Sequence, residues 1–248
     1  MNNKIVHAPL KVPPKMIDVG CGTGTVTRYF GTQYPSATAY SIGISPVPPF
    51  VTTPVNVSYI EGDVRKLMKT DERLATASLD YVYQRLLIGG MTNWDSYMKE
   101  MTTLLRPGGW IEVHDYAQTW YKDGEVCSGD WKWQKAMREG ARHSGLDLDC
   151  GSSAQKYMKN AGLVDVEVHR YAVPYGTWLA DEKPESRRIG EQQNSKGPLF
   201  SQHILPGVTR GLGLSERELA ELQSECSKTL AGEKGKYCYF YITVSRKA

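Results

Sequence analysis

The residues best suited to chemistry begin with Ile17-Asp-Val-Gly-Cys-Gly-Thr-Gly24. Glycine at 20, 22 and 24 permits positive φ and lets the backbone come close to a ligand. Asp18 places a carboxylate two positions before the first glycine. A helix opening at Thr25 points its free amides and positive dipole end at the same spot. That combination suits a nucleotide cofactor. The spacing departs from the dinucleotide pattern G-x-G-x-x-G, because Thr25 stands where its last glycine would be. A second group comprises His114 and Asp115, which close one predicted strand, and Tyr83 and Arg85, which flank the end of another. Ligands of open parallel sheets bind outside the carboxyl ends of the strands. His114 there is either a general base or a structural histidine. Tyr83 and Arg85 are placed to touch cofactor or acceptor. His203 is placed to approach from a later insert, whereas His143 and His169 read as surface residues. Trp120, Tyr121, Trp131 and Trp133 are either core or the walls of a flat apolar pocket.

The elements that must position these residues alternate strand and helix. Apolar runs predict strands at Lys15–Val19, Ala37–Ile44, Val57–Glu61, Leu79–Gln84 and Trp110–His114. Helices are predicted over Thr25–Gln33 and Trp94–Leu105. The second has Tyr97, Met98, Met101, Leu104 and Leu105 at helical spacing, and Arg106-Pro-Gly-Gly109 ends it. A proline-rich loop spans Pro46–Pro54. Two more helices follow near Trp131–His143 and Ser153–Asn160. A half-exposed strand is predicted at Val164–Val173 and a mostly apolar one at Tyr237–Val244. Such alternation makes a largely parallel sheet with helices on both faces. The stretch 177–235 reads as a helical insert, either a decorated connection or a lid over an acceptor pocket. It contains a polar stretch, Asp181–Gly197, and a helix whose start, Ser215-x-x-Glu218, fits a capping box. Leu219, Leu222 and Cys226 give that helix an apolar stripe. The whole chain, 1–248, is read as a single domain.

Composition narrows the function classes. The chain has 248 residues, 40% of them hydrophobic, and a formal net charge of +3. That is nearly neutral, without a basic block, so nucleic acid is not an expected partner. No run approaches the roughly 20 apolar residues of a membrane span, and the first residues lack a signal-peptide core. The five cysteines form neither a CxxC pair nor a zinc-type cluster with histidine, so no metal site is expected. An odd number of free thiols points to the cytosol, or to the nucleus by diffusion.

The octapeptide at 17–24 resembles motif I of the class I S-adenosylmethionine-dependent methyltransferases. Glu61-Gly-Asp63 resembles that family's adenine-side motif, with Asp63 as acceptor for the adenine amino group and Val64 near the ring; Asp63 also reads as a helix N-cap. Leu79-Asp-Tyr-Val-Tyr-Gln84 resembles the fourth-strand motif, whose end lies under the transferring methyl group. Leu105-Arg-Pro-Gly-Gly-Trp-Ile-Glu112 resembles the turn and fifth strand. More narrowly, Gln84–Trp94, Gly108–Glu112, Tyr121–Gly124 and Thr209–Ser215 resemble fungal secondary-metabolism methyltransferase-domain proteins of the LaeA-like and UMTA types. The resemblance implies a Rossmann-like α/β fold with a seven-stranded, mostly parallel sheet, an antiparallel last strand, and a helical insert between strands six and seven. It implies S-adenosylmethionine as cofactor, held by Asp18, Gly20, Cys21, Gly22, Gly24, Ile44, Ser45, Asp63, Val64 and Gln84, with His114, Tyr83 and Arg85 as catalytic candidates. The implied reaction is methyl transfer to O, N or S of a small-molecule acceptor. The alternative is a protein of this fold that has lost methyl transfer and serves as a cyclase, dehydratase or regulator.

The chain departs from that family at two places. The second strand of the family ends in an acid that accepts both ribose hydroxyls, and here the position falls on Gly43. Hydrogen bonds to a charged group contribute about 1.5–3 kcal/mol, so Ser41 or Ser45 is expected to replace part of the contact. Residues 1–14, with His7-Ala-Pro-Leu10, read as the tail end of the family's N-terminal cap. A short cap leaves apolar surface that favours a homodimer.

Overall fold

A computed structural model describes residues 4–49, 52–231 and 234–248. Parts of the expected cap, proline-rich loop and lid, at 1–3, 50–51 and 232–233, lie outside the described residues. The strands are β1 (Lys15–Val19), β2 (Thr38–Gly43), β3 (Val57–Glu61), β4 (Leu79–Arg85), β5 (Leu105–Lys122), β6 (Glu125–Val126), β7 (Val164–Pro174) and β8 (Lys236–Arg246). They form one sheet in the order β3-β2-β1-β4-β5-β8-β7, with β6 paired to the far end of β5. β1 to β5 are parallel where they pair, and β8 runs antiparallel to both its neighbours. This is the Rossmann-like methyltransferase fold, with β7 and β8 in the places of the sixth and seventh strands and β6 as an extra hairpin arm.

Side chains alternate across the strands and so feed two cores. Tyr81 and Tyr83 of β4 pack with Phe30, Trp133 and Phe240 on one face. Val82, Ile17, Ile42 and Ile111 pack with Met98, Met101 and Met158 on the other. The helices are α1 (Thr25–Gln33), α2 (Val64–Leu67), α3 (Trp94–Leu104), α4 (Lys132–His143), α5 (Cys150–Asn160), α6 (Ser186–Ser195), α7 (Gly197–Leu199), α8 (Leu205–Thr209) and α9 (Glu216–Thr229). α3 buries Trp94, Tyr97, Met98, Met101 and Leu104, one stripe at helical spacing. α9 starts at the expected capping box: the Glu218 amide donates to the Ser215 hydroxyl, and the Ser215 amide donates to the Glu218 carboxylate at 2.8 Å.

The structure revises several sequence-based boundaries. β5 does not stop at His114 but continues to Lys122, where Asp123 and Gly124, both at positive φ, turn the chain into β6. The extension is long because β8 pairs with it along its whole length. The polar stretch 181–197 holds α6, and a π-helical turn at Phe200–Ile204 joins α7 to α8. Trp120 and Trp133 are core: Trp120 packs edge-on against Tyr175, and Trp133 against Phe200.

Candidate active site

The glycine turn has the geometry its spacing requires. Gly20, Gly22 and Gly24 have φ of 72°, 54° and 72°. The amides of Gly20 and Cys21 both donate to the Ile42 carbonyl, at 2.8 and 3.0 Å, which ties the turn to β2. Those two amides therefore hold the turn in place and do not face a ligand. Among the described residues the Gly22 and Thr23 amides have no backbone acceptor, and both residues are exposed just before α1. A Cβ on Gly20 would lie 2.3 Å from the Leu87 side chain, and one on Gly24 would meet the Tyr59 ring, whereas one on Gly22 would meet nothing within 4 Å. The open space of the turn is thus over Gly22.

Asp18 lies just beneath, buried, and accepts a hydrogen bond from the Thr27 hydroxyl at 2.7 Å. Burial pushes its carboxyl up to about 6, against the pull of Thr27 and of Arg85 nearby. The Ser41 hydroxyl sits 3.0 Å from that of Thr27, and Ser41, though buried, lines the second of the two hollows described next. Arg85 is exposed at the end of β4.

Two hollows adjoin the turn at the carboxyl ends of β1 to β3. One, of about 190 Å³, is lined by Gly20, Ile44, Asp63, Val64, Leu87 and Met91 among others. The second, of about 250 Å³, is lined by Cys21, Ser45, Tyr59 and Glu61 among others. Gly43 lines both. Asp63 does cap α2, since its Oδ1 accepts from the Arg65 amide at 2.8 Å. Its Oδ2 has no partner among the described residues. Ile44 stands 83% exposed beside these walls. An apolar, flat base fits such a wall, with the free Asp63 oxygen at its edge and glycine backbone toward its other end. The residues present therefore suit an adenosyl group linked to an amino acid.

The catalytic candidates lie one layer deeper. His114 is 4% exposed. Its Nε2 is 2.5 Å from Glu112 Oε1, and its Nδ1 is 3.4 Å from the Tyr83 hydroxyl. Glu112 also accepts from the amides of His7 and Ala8 and from the Tyr81 hydroxyl, each at 2.9 Å. Burial raises the Glu112 carboxyl, but hydrogen bonds from His114, Ala8 and His7 outweigh it and leave it below the usual range. His169 is half-buried, its ring 5.2 Å from that of His7. His143 and His203 are exposed. Gln84 is buried under α3, where its Oε1 accepts from the Tyr97 hydroxyl at 2.6 Å, and it lines neither hollow.

Sequence reasoning singled out Asp115 at the end of a strand but missed that it braces the turn. Asp115 Oδ2 accepts from the Leu87 amide at 2.8 Å and Oδ1 from the Tyr116 amide at 2.9 Å. Burial pushes Asp115 up to about 7. It holds the segment after β4, where Leu86 adopts φ 59°, a costly value for a leucine. Leu87 then fills the space under Gly20. The signal available in sequence was a carboxylate within an apolar strand, at 112 and again at 115.

A family model described as a methyltransferase domain matches residues 3–168. The chain belongs to the methyltransferase-domain family. With this fold, the domain is a class I methyltransferase whose cofactor is S-adenosylmethionine, similar to proteins of fungal secondary metabolism. It is 27% identical over 239 residues to methyltransferase pytC of Aspergillus terreus, covering 90% of this chain and 68% of that one. It is 24% identical over 185 residues to the secondary metabolism regulator LAE1 of Cochliobolus heterostrophus, covering 73% of this chain and 58% of that one. Among solved structures, a Haemonchus contortus phosphoethanolamine N-methyltransferase 2 superposes with TM-score 0.56 at 16% identity, over 97% of this chain and 50% of its own. The [4+2]-cyclase SpnF superposes with TM-score 0.52 at 17% identity, over 96% and 76%. The methyltransferase domain thus shares its fold with proteins of different chemistry, and its own chemistry is argued from its site. Among the described residues no helix is long and apolar enough to cross a membrane, and no cluster of side chains is arranged to hold a metal ion.

Proposed function

We propose that this domain moves the methyl group of S-adenosylmethionine to an oxygen, nitrogen or sulfur atom of a small molecule of fungal secondary metabolism. The observation that carries the reading is the turn at positive φ, with open space where a side chain on Gly22 would go, beside a hollow walled by Ile44, Val64 and Asp63. When bound, the cofactor supplies an electrophilic methyl group on a sulfonium centre. The chain's own residues then bind, orient and shield. Asp18 and Arg85 form an acidic and a basic pole suited to the ammonium and carboxylate of an amino acid. Ile44 and Val64 take the base, and Asp63 Oδ2 accepts from its amino group. Holding the acceptor in line with the C–S bond supplies much of the rate.

His114 has both ring nitrogens engaged, with Glu112 and Tyr83, so it acts as a positioning residue behind Tyr83. The insert 177–235 serves as the lid: Gln193 Nε2 of α6 donates to the Tyr116 hydroxyl at 2.9 Å, next to the Asp115 brace. Residues 4–14, the described part of the cap, are pinned where the His7 and Ala8 amides donate to Glu112. Calorimetry with S-adenosylmethionine and S-adenosylhomocysteine tests the reading. Micromolar binding of both is expected, followed by label transfer from the methyl group to a fungal extract. Absence of binding at millimolar ligand refutes it.

A further inference from the structure

We infer that Glu61 of β3 holds the vicinal hydroxyls of the cofactor's ribose, an inference that rests on the cofactor reading above. A ribose carries two adjacent O–H donors. Taken from water, they need acceptors, and one carboxylate meets both with charge-assisted hydrogen bonds. Three carboxylates stand near the turn besides Glu61. Asp18 lies beneath the glycine turn, at the amino-acid end of the cofactor, and Asp63 lies in the hollow with Ile44 and Val64, at the base. Asp115 is buried and spent on two backbone amides. Glu61 is exposed and, among the described residues, has no hydrogen-bond or ion-pair partner.

The strand register puts Glu61 beside the right place. β2 and β3 are parallel, with Gly43 directly paired to Glu61. Paired residues on neighbouring strands project to the same face, about 4.8 Å apart. Gly43 is the crest between the two hollows, and Glu61 lines the second of them with Cys21, Ser45 and Tyr59. The base is argued into the first hollow and the amino acid to the glycine turn, so the sugar that joins them lies over Gly43. Glycine there leaves the crest free of a side chain, and the neighbouring strand brings a carboxylate to it. Ser45, exposed on the same hollow, adds a hydroxyl.

The test is calorimetry with S-adenosylhomocysteine and its 2′,3′-dideoxyribose counterpart on the full chain, wild type and Glu61→Gln. Glu61→Gln is expected to weaken S-adenosylhomocysteine about ten- to a hundredfold, the range for losing a bond to a charged group. It should leave the dideoxy compound bound as in wild type, and it should leave the melting temperature unchanged because Glu61 has no partner to lose. Wild-type affinity for S-adenosylhomocysteine in Glu61→Gln overturns the inference and spares the cofactor reading. Equal losses for both nucleosides overturn it too, since the effect would then not involve the diol. If the wild type binds neither compound, the cofactor reading fails and takes this inference with it.

Discussion

Replacing glycines of the turn by alanine separates the turn's two roles. Gly22 has φ 54° and open space where a Cβ would go; Gly20 has φ 72° and Leu87 Cδ2 at 2.3 Å from that point. Left-handed backbone costs a non-glycine residue about 1–2 kcal/mol. Gly22→Ala bears only that cost, which lowers the melting temperature by about 2–8 °C in a chain of this size. Gly20→Ala adds overpacking of about 1–3 kcal/mol, for a total of about 2–5 kcal/mol. Gly108 is the control: its φ is 78°, its Cβ position is equally open, and it lies at the opposite end of β5. Scanning calorimetry should therefore rank Gly20→Ala below Gly22→Ala, and Gly22→Ala level with Gly108→Ala. Titration with S-adenosylhomocysteine should show wild-type affinity for Gly108→Ala and at least about tenfold weaker binding for Gly22→Ala, whose methyl group enters the ligand's space. Equal affinity in the two variants refutes the placement of the cofactor over Gly22, whatever their stabilities.

Glu112→Gln leaves amide and hydroxyl donors without their carboxylate in a buried cluster. Such losses cost about 3–5 kcal/mol, and urea unfolding should show this, together with faster proteolysis near Lys11; a change under about 1 kcal/mol contradicts the clamp. Because the native Glu112 carboxyl lies below its ordinary 4.5, its contribution is present above that pH and is lost as pH falls. Asp18 has the opposite sign. Its rise from 3.8 to about 6 means the folded state holds its proton more tightly, so the ligand-free protein loses about 3 kcal/mol between pH 4 and 6. Binding of a ligand ammonium needs ionised Asp18 and should weaken from pH 7 to pH 5; Asp18→Asn should flatten both profiles, and an unchanged slope in that variant removes Asp18 from the site. Gly43→Asp places a second carboxylate beside Glu61, and like charges oppose each other's ionisation. Alone it should gain little affinity for S-adenosylhomocysteine, but in a Glu61→Gln background it should recover about tenfold or more. A large gain from Gly43→Asp alone would show that Glu61 is not in use.

What could be read from the sequence were the features set by neighbours along the chain. Gly20, Gly22 and Gly24 announce a turn because only glycine adopts that backbone cheaply. Ser215 and Glu218 announce a helix start because their bonds close within one turn. The apolar run 15–19 marks a buried strand, since parallel strands covered on both faces need continuous apolar residues. Tertiary structure decided everything that depends on what lies across a strand or beneath a loop. β5 runs to Lys122 because β8 pairs with it, and β8 begins more than a hundred residues later. Ser41 is tied to Thr27, Gln84 is turned into the interior by Tyr97, His114 is locked by Glu112 and Tyr83, and Leu87 is set under Gly20 by Asp115. Glu61 meets Gly43 only through strand register. No local pattern encodes those contacts, because the packing that selects them joins segments distant in the chain.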